Sequence, residues 1–331
     1  MRAENASVVF QSDMAGELNI PVAKIRELHT RSNFAVLTKD QAKKYKTVPT
    51  GVIDIGPDAI RIYAPAAAQD TVPIQQIAYI IPEATYQKEI SGHPGFFSGW
   101  NGTVTAGATL VRATQSGETF TLASSLLRAI PDVAYLPKRN RTTFNVSETY
   151  GKLSQPATPP STPSSYVLTS IFHTDAERDE YFTERFYALA DTSFDHNNTQ
   201  GLSLQEVYGG GLGWTPIKDS KQQLDVRADV HYEKQQFQAP PGNTNLIGST
   251  LAETYVRHLP KNVVFNEYAS FLPAFNDPKA YSANATGSLL LPVFHRLSAN
   301  LTATDNFLNN PTPGFQKNSF QFVTGISYSL H

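Results

Sequence analysis

Gln223-Leu224-Asp225-Val226-Arg227-Ala228-Asp229-Val230-His231-Tyr232-Glu233-Lys234-Gln235-Gln236-Phe237 alternates almost without a break. Leu224, Val226, Ala228, Val230 and Tyr232 form one set, and Asp225, Arg227, Asp229, His231 and Glu233 form the other. A period of two places the sets on opposite faces of a strand. Phe320, Phe322, Thr324, Ile326, Tyr328 and Leu330 repeat the pattern near the end of the chain. So do Leu297, Ala299, Leu301 and Ala303, set against Ser298, Asn300, Thr302 and Thr304.

Working outward, twelve strand candidates follow one another: 97–115, 118–131, 139–153, 166–181, 185–196, 202–215, 222–236, 246–258, 262–274, 280–293, 296–309 and 317–331. Short joints such as Phe182-Thr183-Glu184 alternate with longer Pro-, Asn- and Gly-rich ones such as Ser154–Ser165 and Asn309–Gln316. Short turns on one rim and long loops on the other is the signature of an outer-membrane barrel. The charged run Thr174–Glu184 leaves a surface helix open as an alternative there, so the count is ten to twelve. A soluble sandwich also alternates. Strand length and aromatics near the strand ends (Trp100, Phe144, Tyr150, Tyr181, Phe186, Phe194, Trp214, Tyr232, Tyr255 and Tyr328) favour a barrel with interfacial girdles.

Composition agrees. Of 331 residues, 40% are apolar and only 17% charged, with 22 Pro and 20 Gly, which disfavours long helices. No apolar run approaches the roughly 18 residues of a membrane-spanning helix. Cysteine is absent, which excludes disulfides, thiol catalysis and Cys-based zinc sites. A net charge of −2 and a pI near 6.4 leave no footprint for nucleic acid.

Residues 1–83 read as a small SH3-like β-domain, and 84–96 as a linker to the barrel at 97–331. The domain carries an internal repeat: Val8 to Leu28 matches Ile60 to Ile80 at a constant offset of 52, with Pro21 and Pro73 at equivalent places. That offset puts Met1 at the place of Ile53, mid-strand. The expectation is that the chain starts inside a longer exported precursor with a signal peptide upstream.

The region from Phe97 to His331 resembles the family of salt-induced outer-membrane proteins (YdiY-type, a domain of unknown function). The residues that carry the resemblance are Gly102–Arg112, Ser116-Gly117-Glu118-Thr119, Tyr150-Gly151-Lys152, Glu180–Ala188, Gly209–Trp214 and Thr324–Leu330. It implies an outer-membrane β-barrel with no settled activity and no known catalytic residues. Such barrels end in Phe, whereas this chain ends Leu330-His331.

The functional candidates are the charged file Asp225, Arg227, Asp229, His231 and Glu233, with Glu253, Tyr255 and Arg257 on the next strand, all taken to face the lumen. They read either as a charged constriction of a channel or as a salt-bridge ladder that fills the barrel. Gly209-Gly210-Gly211-Leu212-Gly213 lacks the following helix that a phosphate loop needs, and reads as a close-packed strand. The eight histidines show no metal spacing. Catalytic, cofactor and metal residues are therefore expected to be none. The expected function is an outer-membrane barrel acting as a passive pore or osmotic, salt-stress-related channel. The alternative is a closed barrel serving as a structural or binding platform. A third reading is an outer-membrane hydrolase using Ser270 and His258. The expected partners are outer-membrane lipid, the barrel-assembly machinery, and a periplasmic partner of the N-terminal domain.

Overall fold

The computed structural model describes residues 2–4, 7–12, 16–21, 24–44, 48, 50–64, 70–91, 95, 97–112, 116–133, 136–155, 165–239 and 242–330. The chain forms two compact units, 1–98 with 130–136, and 99–129 with 137–331.

The first unit contains β1 (Arg2–Glu4), β2 (Ser7–Ser12), β3 (Gly16–Pro21), β4 (Leu28–His29), β5 (Phe34–Thr38), α1 (Lys39–Lys44), β6 (Thr50–Ile55), β7 (Ala59–Tyr63), β8 (Asp70–Pro73), β9 (Ile77–Pro82) and α2 (Glu83–Tyr86). The strands pair in the order β3-β2-β1-β9-β5-β6-β7-β8, with β4 also on β6. Alternation sorts the strand residues. Ile53, Ile55, Ile60 and Ile62 enter one core with Val8, Phe34, Val36, Val72 and Ile80. Strand β5 is buried on both faces, and its Ala35 and Leu37 join Ile81, Tyr86, Ile90 and Leu136 in a second core.

The stretch 84–96 read as a linker is therefore partly structured. It holds most of α2 and a π-helical turn at Gln87–Ser91, with Tyr86 and Ile90 four residues apart on the buried side. The Tyr86 hydroxyl accepts a hydrogen bond from the Val48 N–H at 2.8 Å. The segment escapes a periodicity reading because one turn carries only two apolar contacts. The barrel's Ile130–Leu136 connection also belongs to this first unit.

The repeat is visible in the pairing. Val8 faces Ile20 as Ile60 faces Val72, and Ala3 faces Val8 as Ile55 faces Ile60. The copies then exchange strands: Leu28 pairs with Ile55, and its equivalent Ile80 pairs with Ala3.

The second unit is a closed antiparallel barrel. Its strands are β10 (Trp100–Arg112), β11 (Ser116–Ile130), β12 (Asn140–Gln155), β13 (Ser165–Tyr181), β14 (Phe186–Asn197), β15 (Leu202–Lys218), β16 (Gln222–Phe237), β17 (Thr244–Gly248), β18 (Leu251–His258), β19 (Val264–Pro273), β20 (Tyr281–Phe294), β21 (Leu297–Leu308) and β22 (Asn318–Leu330). Strands β17 and β18 run end to end along β16 in one continuous register, so the ring has twelve members. Pairing of Gly102–Gly107 with Leu330–Gly325 closes it. Thr174–Tyr181 is strand, not helix.

Opposed residues of an antiparallel pair share a face. Much of the outward face is apolar and exposed, as at Leu122, Leu212, Val230, Phe322 and Ile326, with the acids Glu148, Glu253, Glu267 and Asp305 among these rows. Aromatic pairs mark its two edges. Phe186 stacks on Trp214 and Tyr255 meets Phe265 toward the short turns, whereas Phe194 meets Tyr208 and Tyr281 stacks on Phe307 toward the long loops. Tyr181 departs from the expected girdle, pointing inward with its ring centroid 5.0 Å from that of Tyr187.

Ile60 is 1% exposed at the centre of the first core. Ile60→Ala is expected to destabilise the first unit by about 2–5 kcal/mol. A urea titration of the full chain, read by proteolytic cleavage within residues 1–98, checks this.

Candidate functional site

The lumen has two unlike walls. From β12 to β16 the inward positions carry Arg141, His173, Asp175, Glu177, Asp179, Asp191, Asp195, Asp225, Arg227, Asp229, His231 and Glu233. That is eight carboxylates against two guanidiniums and two imidazoles, with Lys218, opposite Gln223, adding an ammonium at the short-turn rim. Across the barrel, the described inward positions of β19–β22 carry no Asp, Glu, Lys or Arg. Hydroxyls and amides bond one another there, as in Asn300 to Ser327 at 3.1 Å and Thr105 to Ser327 at 2.6 Å.

Arg141 is the hub of the charged wall. Its Nε donates to Asp179 at 2.6 Å, and Nη1 donates to Asp225 on β16 at 2.8 Å. The Asp225 carboxylate also accepts from Thr215 at 2.5 Å and Gln223 at 2.7 Å. This satisfaction offsets the desolvation that an isolated buried pair suffers. The Arg141 guanidinium lies 5.3 Å from the Tyr187 ring centroid. Arg227 pairs with Glu177 and reaches the Tyr268 hydroxyl at 3.4 Å. Higher on β16, Asp229 accepts from the Thr250 N–H at 2.6 Å and lies 3.0 Å from His231 Nδ1. His173 sits between Asp195 at 2.6 Å and Asp175 at 2.9 Å.

Asp225, Arg227, Asp229, His231 and Glu233 all point inward, and Leu224, Val226, Ala228 and Val230 point out. Glu253, Tyr255 and Arg257 do not share the lumen and correct the sequence expectation. Glu253 is opposite Val226, Tyr255 opposite Leu224 and Arg257 opposite Gln222, so all three face outward. Alternation within β18 groups the three correctly, but only the register to β16 says which face they take. The acids and histidines of β13 and β14 were missed because Thr174–Glu184 carries charge on both faces near its end. Ser270 lies opposite Ala252, six residues from His258, or about 20 Å along the strand.

The glycine run gives the wall its depth. A Cβ at Gly213 would run into the Tyr187 ring, and one at Gly209 would stand 2.9 Å from the Asp191 carboxylate. Gly210, on the outward face, has its nearest neighbour at 3.5 Å.

Chain segments cross the mouth at the long-loop rim. Gln200, 3% exposed, donates from Nε2 to the carbonyls of Asn306 at 2.9 Å and Lys317 at 2.6 Å. Thr312 bonds the Gly201 carbonyl, and Asn310 bonds Gln235. Leu202, Phe237 and Leu308 form an apolar cluster beside them. The strands so joined, β15 and β16 on one side and β21 and β22 on the other, are four or more places apart in the ring.

Gly213→Ala is expected to cost about 1–3 kcal/mol of barrel stability through displacement of Tyr187, while Gly210→Ala should stay within about 1 kcal/mol. Urea refolding into detergent, read by heat-modifiable gel mobility, separates the two.

Among solved structures, the NanC porin is similar at 8% identity and a TM-score of 0.40, covering 69% of this chain and 100% of its own. The COG4313 outer membrane channel from Pseudomonas putida F1 is similar at 10% identity and 0.37, covering 72% of this chain and 100% of its own. The translocator domain of autotransporter NalP from Neisseria meningitidis stands at 10% and 0.35, covering 69% and 87%. No curated protein matches the chain. The family model described as "Protein of unknown function, DUF481" matches residues 104–330, and the chain belongs to that family.

Proposed function

We propose that the chain spans an outer membrane and that its lumen is a narrow, cation-preferring path, roofed at the long-loop mouth. The observation that carries the reading is the lopsided lumen, with eight carboxylates and two guanidiniums on one wall and hydroxyls and amides opposite. Charges in a confined aqueous path act at short range with little screening. The neutral wall supplies hydrogen-bonding oxygens without competing positive charge. The large exposed apolar residues of the outer face, set between two aromatic edges, support the membrane assignment. In this reading the short-turn rim and the N-terminal unit lie in the periplasm, and the barrel-assembly machinery inserts the chain. Osmotic or salt stress is the proposed setting, on the family resemblance alone. The roof supports a second reading, a sealed barrel that serves as a platform. The two differ in whether Gln200 and the 309–317 loop part.

Planar-bilayer recording under a salt gradient tests the path. The wild type should show rare, small steps with a reversal potential favouring cations. Gln200→Ala should raise the open probability several-fold, and Asp175→Lys with Asp229→Lys should move the reversal potential toward anions. No steps from folded Gln200→Ala protein would leave the sealed barrel.

Membrane insertion has its own test. Val230 is 62% exposed midway along β16, and Val230→Arg should cost about 2–4 kcal/mol in refolding into liposomes. Thr302→Arg, on the neutral inner wall, should cost far less. Equal losses would argue for a soluble, two-sided core.

A further inference from the structure

The outward placement of Arg257 creates a feature that the lumen does not use. At the short-turn rim, the turn after β15 and the end of β18 enclose a notch of about 440 Å³. Lys221, Arg257 and His258 line it, with Leu259 and Pro260 beside them. Asp219 is the one acid in its lining. Its carboxylate is engaged by the turn, accepting from the N–H groups of Lys221 at 2.7 Å and Gln222 at 3.0 Å, and from the Gln222 side chain at 3.3 Å. The Lys221 amide above all holds the Asp219 pKa below the ordinary carboxylate value, so Asp219 stays ionised and turned to the backbone. Lys221 and Arg257 outnumber it.

The notch includes residues of the outer face. Arg257 stands opposite Gln222 on that face, and Tyr255, two residues along, donates to Gln222 Oε1 at 2.8 Å. The Tyr255 and Phe265 rings follow, 6.4 Å apart. Two acids share that face: Glu267, opposite Tyr255 and diagonal to Arg257, and Glu253, four positions or about 13 Å along β18 from Arg257. Positive charge at the rim with aromatic rings above it matches the headgroup end of an anionic amphiphile.

We propose that this notch binds the phosphate-bearing headgroup of an anionic phospholipid, whose acyl chains lie along Tyr255 and Phe265. The proposal rests on the membrane-spanning reading. Arg257 supplies a planar fork suited to phosphate oxygens, and Lys221 a point charge.

The test is native mass spectrometry of the refolded full chain in micelles doped with phosphatidylglycerol or phosphatidylcholine. Heat-modifiable mobility is run in parallel, so failure of the barrel reading appears there as a missing shift. Phosphatidylglycerol should be retained over phosphatidylcholine. Each basic residue near a lipid surface contributes about fivefold, so K221Q with R257Q should lower retention roughly twenty-five-fold. K221R with R257K should keep most of it, and serves if the neutral variant fails to fold. K261Q, on the same rim outside the notch, should change retention little. Equal retention of both lipids, or a K261Q loss as large as that of the double variant, would overturn the proposal. Displacement by inorganic phosphate at an equal concentration would assign the notch to free phosphate and overturn the lipid assignment.

Discussion

Pairing between β10 and β22 leaves the sheet of the second unit without an edge, and the rest of the barrel inherits its geometry from that closure. A closed ladder satisfies backbone donors and acceptors between neighbouring strands, which is what an apolar surrounding demands. It also fixes the face of each residue, because opposed positions share one side and the alternation cannot change phase without a bulge. The phase changes in the described barrel pairings, at Asp195–Asn197, Leu202–Leu204, Trp214–Ile217 and Pro292–Phe294, fall near the strand ends, where a strand can bend without exposing the lumen charges to the outer face.

Closure also concentrates charge. Eight carboxylates on one wall would repel one another, and the structure answers with two guanidiniums placed low in the lumen. Arg141 reaches from β12 to β16 and so ties strands four places apart in the ring. Gly213 leaves its inward position to the Tyr187 ring, and the Arg141 guanidinium lies over that ring. The wall's shape and its electrostatics are thus set by the same few residues.

Much of this was legible in the sequence. Most of the strands are legible because several alternate strictly, as in 223–237, 297–304 and 320–330, and turn signals separate the rest. The file from Asp225 to Glu233 stands out because every second residue is ionisable or polar. Glu253, Tyr255 and Arg257 were misplaced for a physical reason: which face a strand shows is decided by the number of residues in the preceding loop, and 238–243 has no pattern that fixes it. Asp179 and Glu177 were obscured by Arg178 and Glu180, which pair with each other outside the lumen at the strand end. The contacts across the mouth, from Gln200 to Asn306 and Lys317, join residues more than 100 positions apart and have no local signature.

The strand exchange in the first unit has a consequence for its origin and assembly. Leu28 completes the sheet of the second copy through Ile55, and Ile80 completes that of the first through Ala3. Neither copy holds its full set of backbone partners alone. Were the two copies carried on separate chains, the same pairing would join them as a symmetric dimer, each lending its last strand to the other. Fusing them converts an encounter between molecules into an intramolecular step, with an effective concentration set by the segment between the copies, which carries β5 and α1. It also delays completion. The first copy remains open until Ile80 has been synthesised, whereas the second finds Leu28 already in place.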